Sequence, residues 1–380
     1  MSPLPASTRG FSLPELMVAM VIGLILTLAV SIMVARQESI RRGLSSGNDL
    51  TSNAAYAAYF LDRELRSAGA GFSQTVADNY GCLVHAAARD KGQLLPAPKA
   101  FPAPFAGIPS NYRLAPLIVY AGAGANGSDV IAVATGNAGV GTNGLPVVPQ
   151  SVATDRLNLA NTLGIRGGDL VLLSQAGMDC MLQQVRDKFV GGETTVLEFG
   201  GNYAAEVIAG LGVTAFSNGK TFATLQGNVV GNQPRLELLG IDSAGTLNAY
   251  DLLQLSSTGV QPLIDGVVDM RVLYGVDTNR NGTVDTWVAP TLAGFTAAEL
   301  TAPNRTAQER LKSILAVRVG MVMRSDLVDK TDVTPPSLKL FSDLRDESLH
   351  RTFNVPAGTT QQRYRVVEFT VPLRNVRDSR

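Results

Sequence analysis

An uncharged apolar run from Leu16 to Ala35 is followed by short apolar segments broken by turn residues, and this contrast divides the chain in two. About 20 apolar residues, rising 1.5 Å each in a helix, cross a hydrocarbon layer of about 30 Å. A secretory signal has a shorter apolar stretch of about 7–15 residues, and a buried soluble helix of this length keeps a polar face. The run therefore predicts a membrane anchor. Beyond it, Leu50, Ala54, Ala57, Ala58, Leu61 and Leu65 keep a helical period, with Arg63, Glu64 and Arg66 placed on the far side. Gly43 and Ser45-Ser46-Gly47 are weak helix formers and predict a bend, and Ser67 to Gly71 ends the helix. If continuous, residues 11–67 form a rod of about 85 Å.

The rest of the chain alternates with the shorter period of strands. The clearest predicted strands are 129–134, 169–174, 180–186, 194–199, 234–240, 250–256, 266–275, 283–289, 314–324 and 363–373. Residues 95–112 are Pro-rich and predict an extended loop. There is no internal repeat. The expected fold class is α+β: a long N-terminal helix packed by its second half on a large, β-rich, antiparallel head, with a further division near 200–230, where Gly-rich segments cluster.

Composition narrows the function. Hydrophobic residues make up 45% of the 380 positions and charged residues 17%, enough for a sizeable core. Lys plus Arg and Asp plus Glu each number 32, so no basic surplus points to nucleic acid. A formal net charge of zero also gives little protection against self-association, which suits a subunit of an assembly. Cys82 and Cys180 are too few for a disulfide framework; in an exported head they predict a single bridge. Closing a loop of about 100 residues would contribute up to about 4–5 kcal/mol in the chain-entropy model.

The residues before the anchor carry chemistry of their own. Arg9-Gly10 is a basic, flexible site for a protease. Pro14 fits the first turn of a helix, predicting a start near Phe11. Glu15 puts a carboxylate at the edge of a lipid-spanning helix, where a charge is costly and marks a functional position. The segment Gly10-Phe11-Ser12-Leu13-Pro14-Glu15, followed by the long apolar run, resembles the leader of bacterial type IV prepilins and pseudopilins. The resemblance implies cleavage by a prepilin peptidase between Gly10 and Phe11, then methylation of the Phe11 amine. It also implies that Glu15 pairs with the Phe11 amine of a neighbouring subunit. Pro14 departs from the family's usual aliphatic residue. The implied organisation is a leader over 1–10, a transmembrane assembly helix over 11–35, its amphipathic continuation over 36–68 and a periplasmic head over 69–380. A charge count opposes this orientation: Arg9 precedes the anchor, whereas Arg36, Arg41 and Arg42 follow it, which would place the head inside the cell.

Five stretches of the remaining chain resemble PilW-type minor pilins: Leu61–Gly71, Gly168–Gln175, Gly266–Trp287, Ala316–Ser325 and Tyr364–Asn375. The resemblance implies a single-pass inner-membrane protein that enters a pilus fibre. There it would help start assembly at or near the tip, serving adhesion or twitching motility. Its implied partners are the prepilin peptidase, other minor pilins, the major pilin and a tip adhesin. The rival within the class is a minor pseudopilin of a type II secretion system, J-like. The rival outside it is a membrane-tethered periplasmic enzyme or binding protein, which would need a site constellation and has no use for Gly10, Phe11 or Glu15.

Candidate sites in the head are few. Asp277, Asn279, Asn281, Thr283 and Asp285 fall at the first, third, fifth, seventh and ninth positions of a calcium loop, with Gly282 at the sixth. Val288 occupies the twelfth, where a bidentate Glu belongs, so Ca²⁺ would bind weakly. Asn281-Gly282 between apolar runs equally signals a hairpin turn. His85 and His350 lie far apart in sequence and are expected on the surface or in loops. Gly43-Leu44-Ser45-Ser46-Gly47 matches Gly-x-Ser-x-Gly by type but lies in the helical stretch, not at the strand-to-helix elbow that chemistry needs. His-Glu-x-x-His is absent from the sequence, and the expectation is a protein that is not an enzyme.

Overall fold

The computed structural model describes residues 12–72, 79–137 and 144–377. It opens with one helix, Leu13–Arg66, of 54 residues. The helix passes through Gly43 and Ser45–Gly47 without interruption, so the expected bend does not divide it. A glycine inside a helix costs only about 1 kcal/mol, and good helix formers on both sides outweigh it. The first half touches nothing: none of the apolar window within Leu13–Gln37 is buried. The second half lays Leu50, Ala54, Ala57, Leu61 and Leu65 into the main core of the head.

That core lies between the helix and two antiparallel sheets. The first sheet has four strands, in the order Thr286–Val288, Val267–Val276, Ile314–Val328 and Gln362–Pro372. Its long strand Ile314–Val328 is covered on both faces, which explains its nearly unbroken apolar sequence. Val317, Val319, Met321 and Met323 face the main core. Val322 faces a smaller cluster with Leu340 and Phe341, under the hairpin Ser337–Leu340 and Arg351–Asn354. Gly320 stands between these layers because a Cβ there would lie 2.8 Å from Phe341 Cζ.

The second sheet has five strands, Gln261–Asp265, Thr246–Asp251, Arg235–Ile241, Val130–Thr135 and Leu117–Tyr120. Thr246–Asp251 ends earlier than the predicted 250–256, because residues beyond Asp251 turn around its carboxylate, which accepts from the Leu253 and Ser256 N–H groups. Buried hydrogen bonds join the sheets, among them that from the Asp129 N–H to the Met270 carbonyl (2.9 Å). The Val119 N–H donates to the buried Tyr274 hydroxyl (2.7 Å), and Asp129 accepts from the Gly122 and Val272 N–H groups (2.9 Å each). The Pro-rich segment is an irregular loop, yet its Phe101, Phe105, Ile108 and Tyr112 are buried in the main core.

Thr135 and Arg235 sit opposite each other on neighbouring strands. The chain between them therefore leaves the five-stranded sheet and returns to the same place. Along the way it builds a second core around Leu157, Val171, Leu197 and Phe216. A six-stranded sheet supports it, ordered Gly92–Leu95, Val84–Ala88, Cys180–Gln184, Asp169–Gln175, Thr221–Asn228 and Leu145–Pro146. The Gly-rich stretch near 200–230 falls inside this inserted unit. One pairing, Val84 opposite Cys180, is parallel rather than antiparallel. The two strands belong to different parts of the chain, and the long connection between them meets the length a parallel crossover needs.

Candidate assembly interface

The start of the long helix is set by its own side chains. Ser12 is extended and caps the helix, so the first helical residue is Leu13, close to the expected start near Phe11. Pro14 sits in the first turn, where a missing N–H costs nothing. The Glu15 N–H donates to Ser12 Oγ (3.4 Å), while Glu15 Oε2 accepts from the Ser12 N–H (3.2 Å) and hydroxyl (3.1 Å). This reciprocal box satisfies donors that a helix start leaves unpaired, and the carboxylate lies at the positive end of the helix dipole. Gly10 and Phe11 lie outside the described residues.

Downstream of Glu15 the helix is suited to lipid. Thr27 and Ser31, the polar residues in the span, donate their hydroxyls to the Gly23 and Thr27 carbonyls (2.8 Å each). No polar group of theirs is left bare in hydrocarbon. Leu24, Ile25 and Met33 remain at least 60% exposed, an apolar surface without a partner in this chain.

The second half of the helix is clamped to the head along its length. The Arg365 guanidinium donates to Thr51 Oγ1 (2.8 Å), and the Asn375 amide donates to the Ser67 and Ala68 carbonyls. Glu64 pairs with Arg63 (2.7 Å) and with Arg235. Its expected place on the far side is wrong: Glu64 is 3% exposed, because it follows Leu61 by three residues and shares the packed face. Sequence reasoning missed this clamp, although the helical period alone places Glu64 there. Near the clamp, Glu237 is pushed up to about 7, chiefly by burial and then by the Glu64 charge, with Arg235 opposing.

Cys82 and Cys180 are joined in a disulfide with Cα atoms 5.6 Å apart. The bridge stands beside the parallel strand pair and ties the main core to the inserted unit. His85 is neither exposed nor in a loop. It lies within Val84–Ala88, is 4% exposed, and bonds the Ile208 carbonyl (2.8 Å) and Asp179 (3.3 Å). His350 is half-buried against the Leu344 carbonyl (3.0 Å).

The proposed calcium ligands share one wide hairpin loop between Val267–Val276 and Thr286–Val288. Asp277 accepts from the Arg280, Asn281 and Gly282 N–H groups. Asp285 accepts from the Thr278 N–H and hydroxyl and from the Asn279 amide. Asn281 Oδ1 accepts from the Thr283 N–H and hydroxyl. The oxygens that would bind an ion thus close the loop on itself, and Val288 is already within the strand. Among the described residues no group of three or more His, Cys, Asp or Glu is placed to hold a metal.

The head is thus bonded to the second half of the helix, while the first half presents an exposed apolar surface headed by a carboxylate. A family model described as type IV pilus-assembly protein W matches residues 240–375, which contain the whole four-stranded sheet. A second, the prokaryotic N-terminal methylation motif, matches residues 6–31 and spans Gly10, Phe11 and Glu15. No curated protein and no solved structure matches the chain.

Proposed function

Because the chain is a PilW-type minor pilin of the type IV pilus, we propose that it enters the fibre through its N-terminal helix and helps to start assembly at or near the tip. In this reading the prepilin peptidase cuts between Gly10 and Phe11, and the Phe11 amine is methylated. The carrying observation is the split character of Leu13–Arg66, one half packed on the head and the other apolar and partnerless. A membrane receives that half first, and the helices of other minor pilins and the major pilin receive it later.

The head is proposed to face the periplasm, against the arginine count beyond the anchor. The Cys82–Cys180 bond supports this orientation, since disulfides persist in oxidising compartments. Glu15 has two partners in the proposal. Before assembly it closes the helix cap with Ser12; in the fibre its charge pairs with the Phe11 amine of a neighbour, fixing the axial register.

Mass analysis of the mature protein and of sheared fibres tests this reading. The expected mature chain begins at Phe11 and carries one added methyl group; an uncut chain overturns the proposal. Glu15→Gln keeps a cap acceptor but loses the charge. It should be cut normally and be depleted from fibres; normal incorporation would reduce Glu15 to a capping residue.

A further inference from the structure

A cleft of about 410 Å³ lies on the head, unrelated to the helix start. Its base carries Arg324, whose Nε is buried without a hydrogen-bond partner. Among the described residues no carboxylate pairs with this guanidinium. The neighbouring Arg271 is engaged, donating to Asp269 (3.1 Å) and to the Gly127 carbonyl (2.7 Å). Arg271 is paired with both Asp269 and Asp129 (3.8 Å), which leaves Arg324 as the guanidinium of this cleft without an ion-pair partner among the described residues. Phe353 and Tyr364 form a wall, with ring centroids 6.0 Å apart.

Strand alternation places this cleft away from the helix. Met323 faces the main core, and its partner Arg365 reaches the helix at Thr51. Arg324 and Tyr364 are the next pair in register and point to the opposite face. Arginine and aromatic groups gathered in one hollow are the residue types that anchor protein interfaces. A half-buried guanidinium without a counter-ion is costly unless a partner supplies one, and its planar fork matches a carboxylate.

We propose that this cleft receives an acidic side chain, Asp or Glu, from a neighbouring pilus subunit, with Arg324 as its counter-ion. The proposal deepens the assembly reading and rests on it only for the source of the carboxylate.

The test uses the full chain in detergent micelles. The probe is N-acetyl-glutamic acid α-amide at millimolar concentration, and the control is its glutamine counterpart. The melting midpoint should rise with the carboxylate probe and not with the control. Arg324→Gln should melt no lower than the parent and bind the probe at least about tenfold more weakly. Arg324→Lys keeps the charge without the fork and should bind with intermediate strength. An equal response to both probes, or a response unchanged in both variants, overturns the site. In cells, Arg324→Gln should reach the membrane at normal level and fall several-fold in sheared fibres; unchanged fibre content overturns assignment of the carboxylate to a neighbouring subunit. Glu15→Gln should bind the probe normally, so failure of the cleft and failure of the assembly reading give different results.

Discussion

Glu237 shows how one carboxylate couples the helix clamp to pH. Burial and the Glu64 charge push it up to about 7, against an ordinary value of 4.5. Between those values the folded chain keeps a proton that the unfolded chain has lost. Stability therefore falls as pH rises through that window, and the loss is complete above it. Glu237→Gln should melt with the parent at pH below 4.5 and above it, in temperature, at pH over 7; thermal melts across this range check the sign. Glu64, Arg235, Asp251 and Arg63 are the charged groups acting on it, so the profile reads the clamp itself.

The four-stranded sheet shows the same economy at the level of an element. Gly320 lets Phe341 and Leu340 press against the strand Ile314–Val328. Gly320→Val adds atoms where a Cβ already meets Phe341 Cζ at 2.8 Å. Overpacking of this kind costs about 1–3 kcal/mol, and a lower melting midpoint with the helix retained by circular dichroism is expected. Much of this sheet was legible beforehand, since long apolar strands declare themselves by period; 266–275 matches Val267–Val276 to one residue at each end, and 314–324 falls within Ile314–Val328. The long helix was legible for the same reason. Its continuity through Gly43 and Ser45–Gly47 was not, because local propensity is weaker than the cooperative bonding of the turns on either side. Glu64 and His85 were misplaced because charge and polarity say nothing about which partner waits across the fold. The Asp277 loop shows a further limit. Its ligand-like spacing also serves internal Asx-type turns, and both patterns need the same residues. Of the N-terminal site, Gly10, Phe11 and Glu15 stood out by residue type, whereas the Ser12 cap became visible only with geometry.

At the scale of the whole molecule, the disulfide reinforces a seam where the inserted unit meets the main core, beside the Val84–Cys180 strand pair and the packed Leu170, Leu172 and Leu182. Cys82→Ser with Cys180→Ser should cost about 2–5 kcal/mol. Limited proteolysis should then cut within residues 144–232 before it cuts the main core; equal resistance of the two regions would show that the bridge does not hold the inserted unit. That unit begins and ends at Thr135 and Arg235, residues paired across adjacent strands. A mechanical consequence follows from the proposal that the protein enters a filament. Tension entering along the helix is carried by the clamp and the sheets of the main core. At the neck of the inserted unit, the hydrogen bonds between Val130–Thr135 and Arg235–Ile241 shunt the load from strand to strand. The unit branches from that path but is tied back to the main core by the disulfide and the Val84–Cys180 strand pair, so it would move with the core as one piece.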